Sequence, residues 1–111
     1  MGWGLTGFMS DDFTAVAQLV DLPPGKMVRV AVDGQPVMLA NVEGAIYALR
    51  DVCGHRNAPL SRGVLDGCQV ECPLHFALFD VRDGHFVDGP LSADVPTRAV
   101  RVEGGTIYVS R

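Results

Sequence analysis

The sequence predicts an all-β domain, an antiparallel β-sandwich or small barrel acting as a base, with a loop-rich lobe inserted into it. Three observations predict it. Turn residues are dense, with 13 Gly and 7 Pro in 111 residues, and no window longer than about ten residues keeps helical spacing. Between the turns lie short runs rich in Val, Ile, Thr and Tyr, several of them alternating with polar residues. The pattern then changes near Asp51, where regular strands give way, as far as about Pro90, to loops that hold all three histidines.

The elements follow in order. Residues 14–19 form an edge strand. In 27–32, Val28, Val30 and Val32 alternate with Arg29 and Ala31, as a sheet with one wet face requires. Asp33-Gly34 is a strong hairpin turn leading into a strand over 36–42, and Glu43-Gly44 is a weaker one leading into 45–50. Inside the inserted segment, Asp66-Gly67 precedes a short strand at 69–71, and Asp83-Gly84 marks another turn. Residues 99–102 and 106–109, joined by Gly104-Gly105, make a closing hairpin. The whole is one domain, 1–111, with the lobe at about 51–90 and the base built from about 1–50 and 91–111.

Two clusters carry chemistry: Cys53-Gly54-His55 and Cys72-Pro73-Leu74-His75, sixteen residues apart. Each offers one soft sulfur and one imidazole nitrogen. Two loops that each give one ligand to each iron would hold a 2Fe–2S pair through Cys53, His55, Cys72 and His75. The same four side chains could hold one tetrahedral Zn²⁺. Zinc fingers usually pair Cys with Cys and His with His, whereas both loops here are mixed. Nucleophilic catalysis by Cys53 with His55 is a poor fit, because residues two apart in one loop seldom meet as nucleophile and base and no third group orients them. His85, after a turn, reads as an exposed strand residue. Cys68 reads as a small, partly buried one.

Composition narrows the classes. A net charge of −4 and a pI of about 5.1 argue against a nucleic-acid partner, whose phosphates need a basic face. Three cysteines are too few for a secreted disulfide scaffold and suit a reducing cytosol. No stretch approaches the ~20 apolar residues of a membrane span, and no basic segment followed by an apolar core marks a signal peptide. The expectation is a cytoplasmic monomer with no membrane. Gly2-Trp3-Gly4-Leu5-Thr6-Gly7 matches a dinucleotide fingerprint, but it lacks the preceding strand and following helix that would give the motif its function. Met1-Gly2 with Thr6 fits a loose myristoylation pattern that nothing else supports. Trp3 and Phe8 either pack on the base or cover an interface.

The flanking residues add a resemblance. With Leu60-Ser61-Arg62-Gly63, Phe79-Asp80-Val81 and the closing segment Val100–Val109, the chain resembles the Rieske ferredoxins of bacterial ring-hydroxylating dioxygenases from about Thr14 to its end. The resemblance implies the Rieske fold and one Rieske-type 2Fe–2S cluster, with Cys53 and Cys72 on one iron and His55 and His75 on the other. Two ferric ions, two sulfides, two thiolates and two neutral imidazoles sum to zero, so an electron enters more easily than at an all-cysteine site. Such centres span about −150 to +300 mV. High-potential relatives carry an extra disulfide and two hydroxyl donors. Here the matching positions are Ala58 and Leu74, then Ala77 and Phe79, so a low-potential centre is expected. Reduction should raise the pKa values of His55 and His75, giving a midpoint that falls with pH once the oxidised-form histidines ionise.

A Rieske oxygenase would need a second, mononuclear iron with two histidines and a carboxylate, and only His85 is left over. A reductase would need flavin and nicotinamide sites, and no credible phosphate-binding turn exists. The chain is therefore read as an electron carrier and not as an enzyme. The resemblance implies a flavin-dependent ferredoxin reductase as donor and a terminal Rieske oxygenase as acceptor. Pro59, Leu60, Leu74 and Phe76 would keep water off the sulfides, and Arg56 and Arg62 either touch a partner's carboxylates or remain solvated. A small subunit of another redox complex, such as a nitrite-reductase-like assembly, is the alternative, and a structural zinc module a more distant one.

Overall fold

A computed structural model describes residues 12–53, 58–74, 76–89 and 93–111. His55, Arg56 and His75, and the N-terminal motif with Trp3 and Phe8, lie outside the described residues. Among the described residues the elements are eleven strands and two 3-10 turns. The strands are β1 (Phe13–Gln18), β2 (Met27–Val32), β3 (Gln35–Val42), β4 (Ala45–Arg50), β5 (Val64–Asp66), β6 (Gln69–Glu71), β7 (Leu78–Asp80), β8 (Phe86–Asp88), β9 (Thr97–Arg98), β10 (Val100–Glu103) and β11 (Thr106–Ser110). The fold is all-β and antiparallel, as the turn density predicts.

Three sheets form: β1-β11-β10, β2-β3-β4-β9 and β5-β6-β7-β8. The hairpin turns explain the second. Asp33 and Gly34, at φ 51° and 81°, and Glu43 and Gly44, at 52° and 98°, both take the doubly left-handed geometry that matches strand twist. The Glu43-Gly44 turn is thus as regular as its Asp-Gly counterpart. β1 is an edge strand, as expected, and its pairing with β11 shifts register between Ala15 and Ala17.

The middle sheet is buried on both faces. Val37 and Leu39 of β3 join Ile107 and Val109 of β11 in one core. Met38 and Ala40, on the opposite face, join Val70, Phe79, Val81, Cys53 and Cys72 in a second. That double burial is why Val37-Met38-Leu39-Ala40 is continuously apolar instead of alternating. The 51–90 segment departs from its expectation of loops with one short strand. It contains a four-stranded sheet, and its strands, three residues each, are too short to show a period of two.

Candidate metal centre

Two loops leave the lobe sheet and the middle sheet side by side in chemistry and construction. Cys53, just past β4, donates its backbone N–H to the Ala58 carbonyl at 2.8 Å; Cys72, just past β6, donates its own to the Ala77 carbonyl at 2.8 Å. Each loop therefore runs from a cysteine to an alanine five residues on. All four of these residues are buried in the same core. His55 lies inside the first span and His75 inside the second by sequence. The Phe76 N–H also donates to the Cys72 carbonyl at 3.0 Å, which turns the second loop tightly and places Phe76 at φ 60°.

The donor set suits an iron–sulfur group. Cys53, Cys68 and Cys72 are not cross-linked to one another, and the Cys53 and Cys72 thiols, in one buried core with Leu60, Val70, Ala77 and Phe79, offer soft donors in a dry surrounding. No hydroxyl stands at Ala77 or Phe79, both fully buried. Leu60 faces inward as expected. Leu74 and Phe76 do not, with 56 % and 64 % of their surface exposed, because the tight turn directs this stretch outward.

Sequence reasoning missed the anchor of the first loop. The Asp51 side chain is wholly buried. Its Oδ1 accepts the Ser61 N–H at 2.7 Å and its Oδ2 accepts the Ser61 hydroxyl at 2.6 Å. The two residues bracket the loop, so the carboxylate ties its entry to the 3-10 turn Leu60–Arg62 that follows it. Arg29 of β2 lies 3.6 Å from the same Oδ2. Nothing in the local pattern signals a pair ten residues apart. Gly63 completes the anchor, since an added Cβ would collide with the Glu71 carbonyl oxygen at the approach to Cys72.

The remaining candidates lie outside the two Cys–Ala spans. Cys68 is partly buried, its Sγ 4.0 Å from Asp80 Oδ2. The Arg82 guanidinium donates to both Asp80 oxygens at 2.6–3.2 Å and holds that carboxyl below its ordinary value. His85 is exposed one residue before β8 and faces Asp94 at 3.6 Å. Arg62 is exposed.

An all-β frame that roots two short Cys–Ala loops in one buried core brings two cysteines to the same side of the middle sheet, as an iron–sulfur group would need. The Rieske [2Fe-2S] domain family model matches residues 12–99, and the chain belongs to that family. It is 41 % identical over 95 residues to the ferredoxin component of the naphthalene 1,2-dioxygenase/salicylate 5-hydroxylase systems of a Ralstonia species, covering 86 % of this chain and 91 % of that protein. The ferredoxin of carbazole 1,9a-dioxygenase from Nocardioides aromaticivorans IC177 superposes with a TM-score of 0.85 at 36 % identity, covering 89 % of this chain and 97 % of that one. A structure described as a complex of reduced oxygenase and oxidized ferredoxin in carbazole 1,9a-dioxygenase matches at TM-score 0.84 and 34 % identity, covering 88 % and 92 %. The chain is an electron carrier with one Rieske-type 2Fe–2S cluster, and its relatives are electron-transfer components, not the catalytic enzymes of their systems. No helix among the described residues is long and apolar enough to cross a membrane.

Proposed function

We propose that this protein carries single electrons from a flavin-dependent NAD(P)H reductase to the terminal Rieske oxygenase of a multicomponent aromatic-ring dioxygenase, acting as a soluble cytoplasmic monomer. Cys53 and Cys72 hold one iron, and His55 and His75 the other. The 111 residues act as one domain in which the lobe, about 51–90, carries the centre and the base, about 1–50 and 91–111, supports it. One observation carries the reading: two Cys–Ala loops of equal span, each closed by a 2.8 Å hydrogen bond and rooted in the same buried core. The oxygenase complex of a relative supports the choice of acceptor.

Bound by these side chains, a 2Fe–2S group supplies reversible one-electron transfer. The chain's own residues do the rest. Leu60, Val70 and Phe79 exclude water from the cysteine side. Ala77 and Phe79 offer no hydroxyl to stabilise added negative charge, which places the midpoint near the bottom of the class range, about −150 mV. Exposed Leu74 and Phe76 give the loop carrying His75 an apolar contact surface, suited to a transient interface of less than ~1,200 Å².

Anaerobically purified protein is expected to be brown, to contain acid-labile sulfide and to give a Rieske-type EPR signal on reduction, which His75→Cys abolishes. A colourless protein holding zinc and no labile sulfide overturns the assignment. A midpoint above about +100 mV by voltammetry, in the upper part of the class range, overturns the low-potential reading.

A further inference from the structure

Asp51 is a buried carboxylate two residues before a proposed ligand, and the carrier role described so far makes no use of its charge. Its side chain has no exposed surface, both oxygens accept hydrogen bonds from Ser61, and Arg29 is the cation beside it at 3.6 Å. The Arg29 side chain is 51 % exposed. The pair is thus asymmetric, with the carboxyl group sealed inside and the guanidinium half in water.

We propose that Asp51 and Arg29 together set the redox potential of this protein, the carboxylate lowering the midpoint and the guanidinium opposing it. The inference rests on Cys53 being a cluster ligand. Two residues of extended chain put the Asp51 and Cys53 Cα atoms at most about 7 Å apart, and both side chains are buried, where a charge is screened by salt much less than at the surface. A fixed negative charge destabilises the one-electron-reduced state more than the oxidised state, because reduction adds one unit of negative charge. A fixed positive charge does the reverse. Arg29 is half in water and its field is screened more strongly than that of Asp51, so the anion prevails at the centre. This acts beside the missing hydroxyls at Ala77 and Phe79, and through a different physical term.

Asp51→Asn separates charge from anchoring, because the amide retains a carbonyl oxygen to accept from Ser61. Arg29→Gln removes the cation from an exposed strand position. Voltammetry and EPR are to be run on the holoprotein for the wild type, both single variants and the double variant, at low and high salt. Asp51→Asn is expected to favour reduction by about tenfold, an upward shift of about 59 mV for one electron. Arg29→Gln is expected to shift the midpoint downward by less, and to lose most of that shift at high salt. The double variant should lie between the two. Shifts of the same sign in both single variants, or no shift in either, overturn the inference. If Asp51→Asn fails to fold, Arg29→Gln decides alone, and an unchanged or raised midpoint rejects it. Loss of the Rieske-type EPR signal and labile sulfide in the wild type itself would refute the ligand assignment instead, before any variant is compared.

Discussion

Gly63 holds the two loop approaches together by having no side chain. Its φ of −83° is open to any residue, so backbone freedom is not the reason for glycine there. The reason is the Glu71 carbonyl oxygen, which occupies the space a Cβ would take. Gly63→Ala must push the 3-10 turn off β6, and is expected to cost about 2–3 kcal/mol or more, read as a lower urea midpoint and as iron lost on gel filtration. Asp80 gives a pH-dependent counterpart. Arg82 holds its carboxyl below the ordinary value of 3.8, so the folded state binds that proton less readily than the unfolded chain. The stabilisation is full above the unfolded value and fades as pH falls through the lower folded one. The stability gap between wild type and Asp80→Asn should therefore stay constant from neutral pH to about pH 5 and close progressively below it, in urea titrations of both proteins in the same metal state. At this scale the sequence shows residue types but not their neighbours. Cys53 and Cys72 stand out as proposed ligands because metal chemistry demands thiolates wherever they fall. Asp51 and Gly63 do not stand out, because their partners, Ser61 and Glu71, come from elsewhere in the chain.

Among the elements, the second loop carries a conflict between fold and surface. Phe76 sits at φ 60°, where a side chain bearing Cβ costs about 1–2 kcal/mol, yet 64 % of its surface remains exposed and little burial offsets that cost. The hydrogen bonds at Cys72 fix the turn, and Gly89, one residue past β8, lies against it, where an added Cβ would come within 2.9 Å of Ala77 Cα. The backbone cannot relax. Phe76→Gly is expected to raise stability by up to about 1 kcal/mol, after allowing for the extra freedom of glycine in the unfolded chain, in denaturant titration of the holoprotein. A destabilised variant would mean that the ring packs more than its exposure indicates. Most strands of the basal sheets are readable because they run for four to eight residues and strong turns bound them. β5, β7 and β8 are not, and β9 has only two residues. Their identity comes from pairing, Val64 with Glu71 and Leu78 with Asp88, which no local window contains.

Across the whole molecule, the middle sheet serves two cores at once, and the proposed metal loops belong to only one. The core between the β2-β3-β4-β9 and β1-β11-β10 sheets consists of aliphatic side chains such as Val32, Val37, Leu39, Ile107 and Val109. The other includes both loop cysteines, with Met38, Leu49, Val70 and Phe79 packed around them. A lobe sheet of four three-residue strands has little independent stability, so metal binding should contribute much of its folding free energy. The basal core has no such dependence. Removing the cluster under anaerobic, reducing conditions is therefore expected to unfold the molecule in part. Amides of β6 and β7, including Val70 and Phe79, should lose most of their protection from hydrogen exchange. Those of β10 and β11, paired from Val100–Val109 to Glu103–Thr106, should stay within about a factor of ten of the holoprotein, a difference of roughly 1.4 kcal/mol in local stability. Uniform loss across all three sheets would mean that the middle sheet transmits the damage and that base and lobe fold as one cooperative unit. Uniform retention would mean that the lobe core is held by its apolar packing alone.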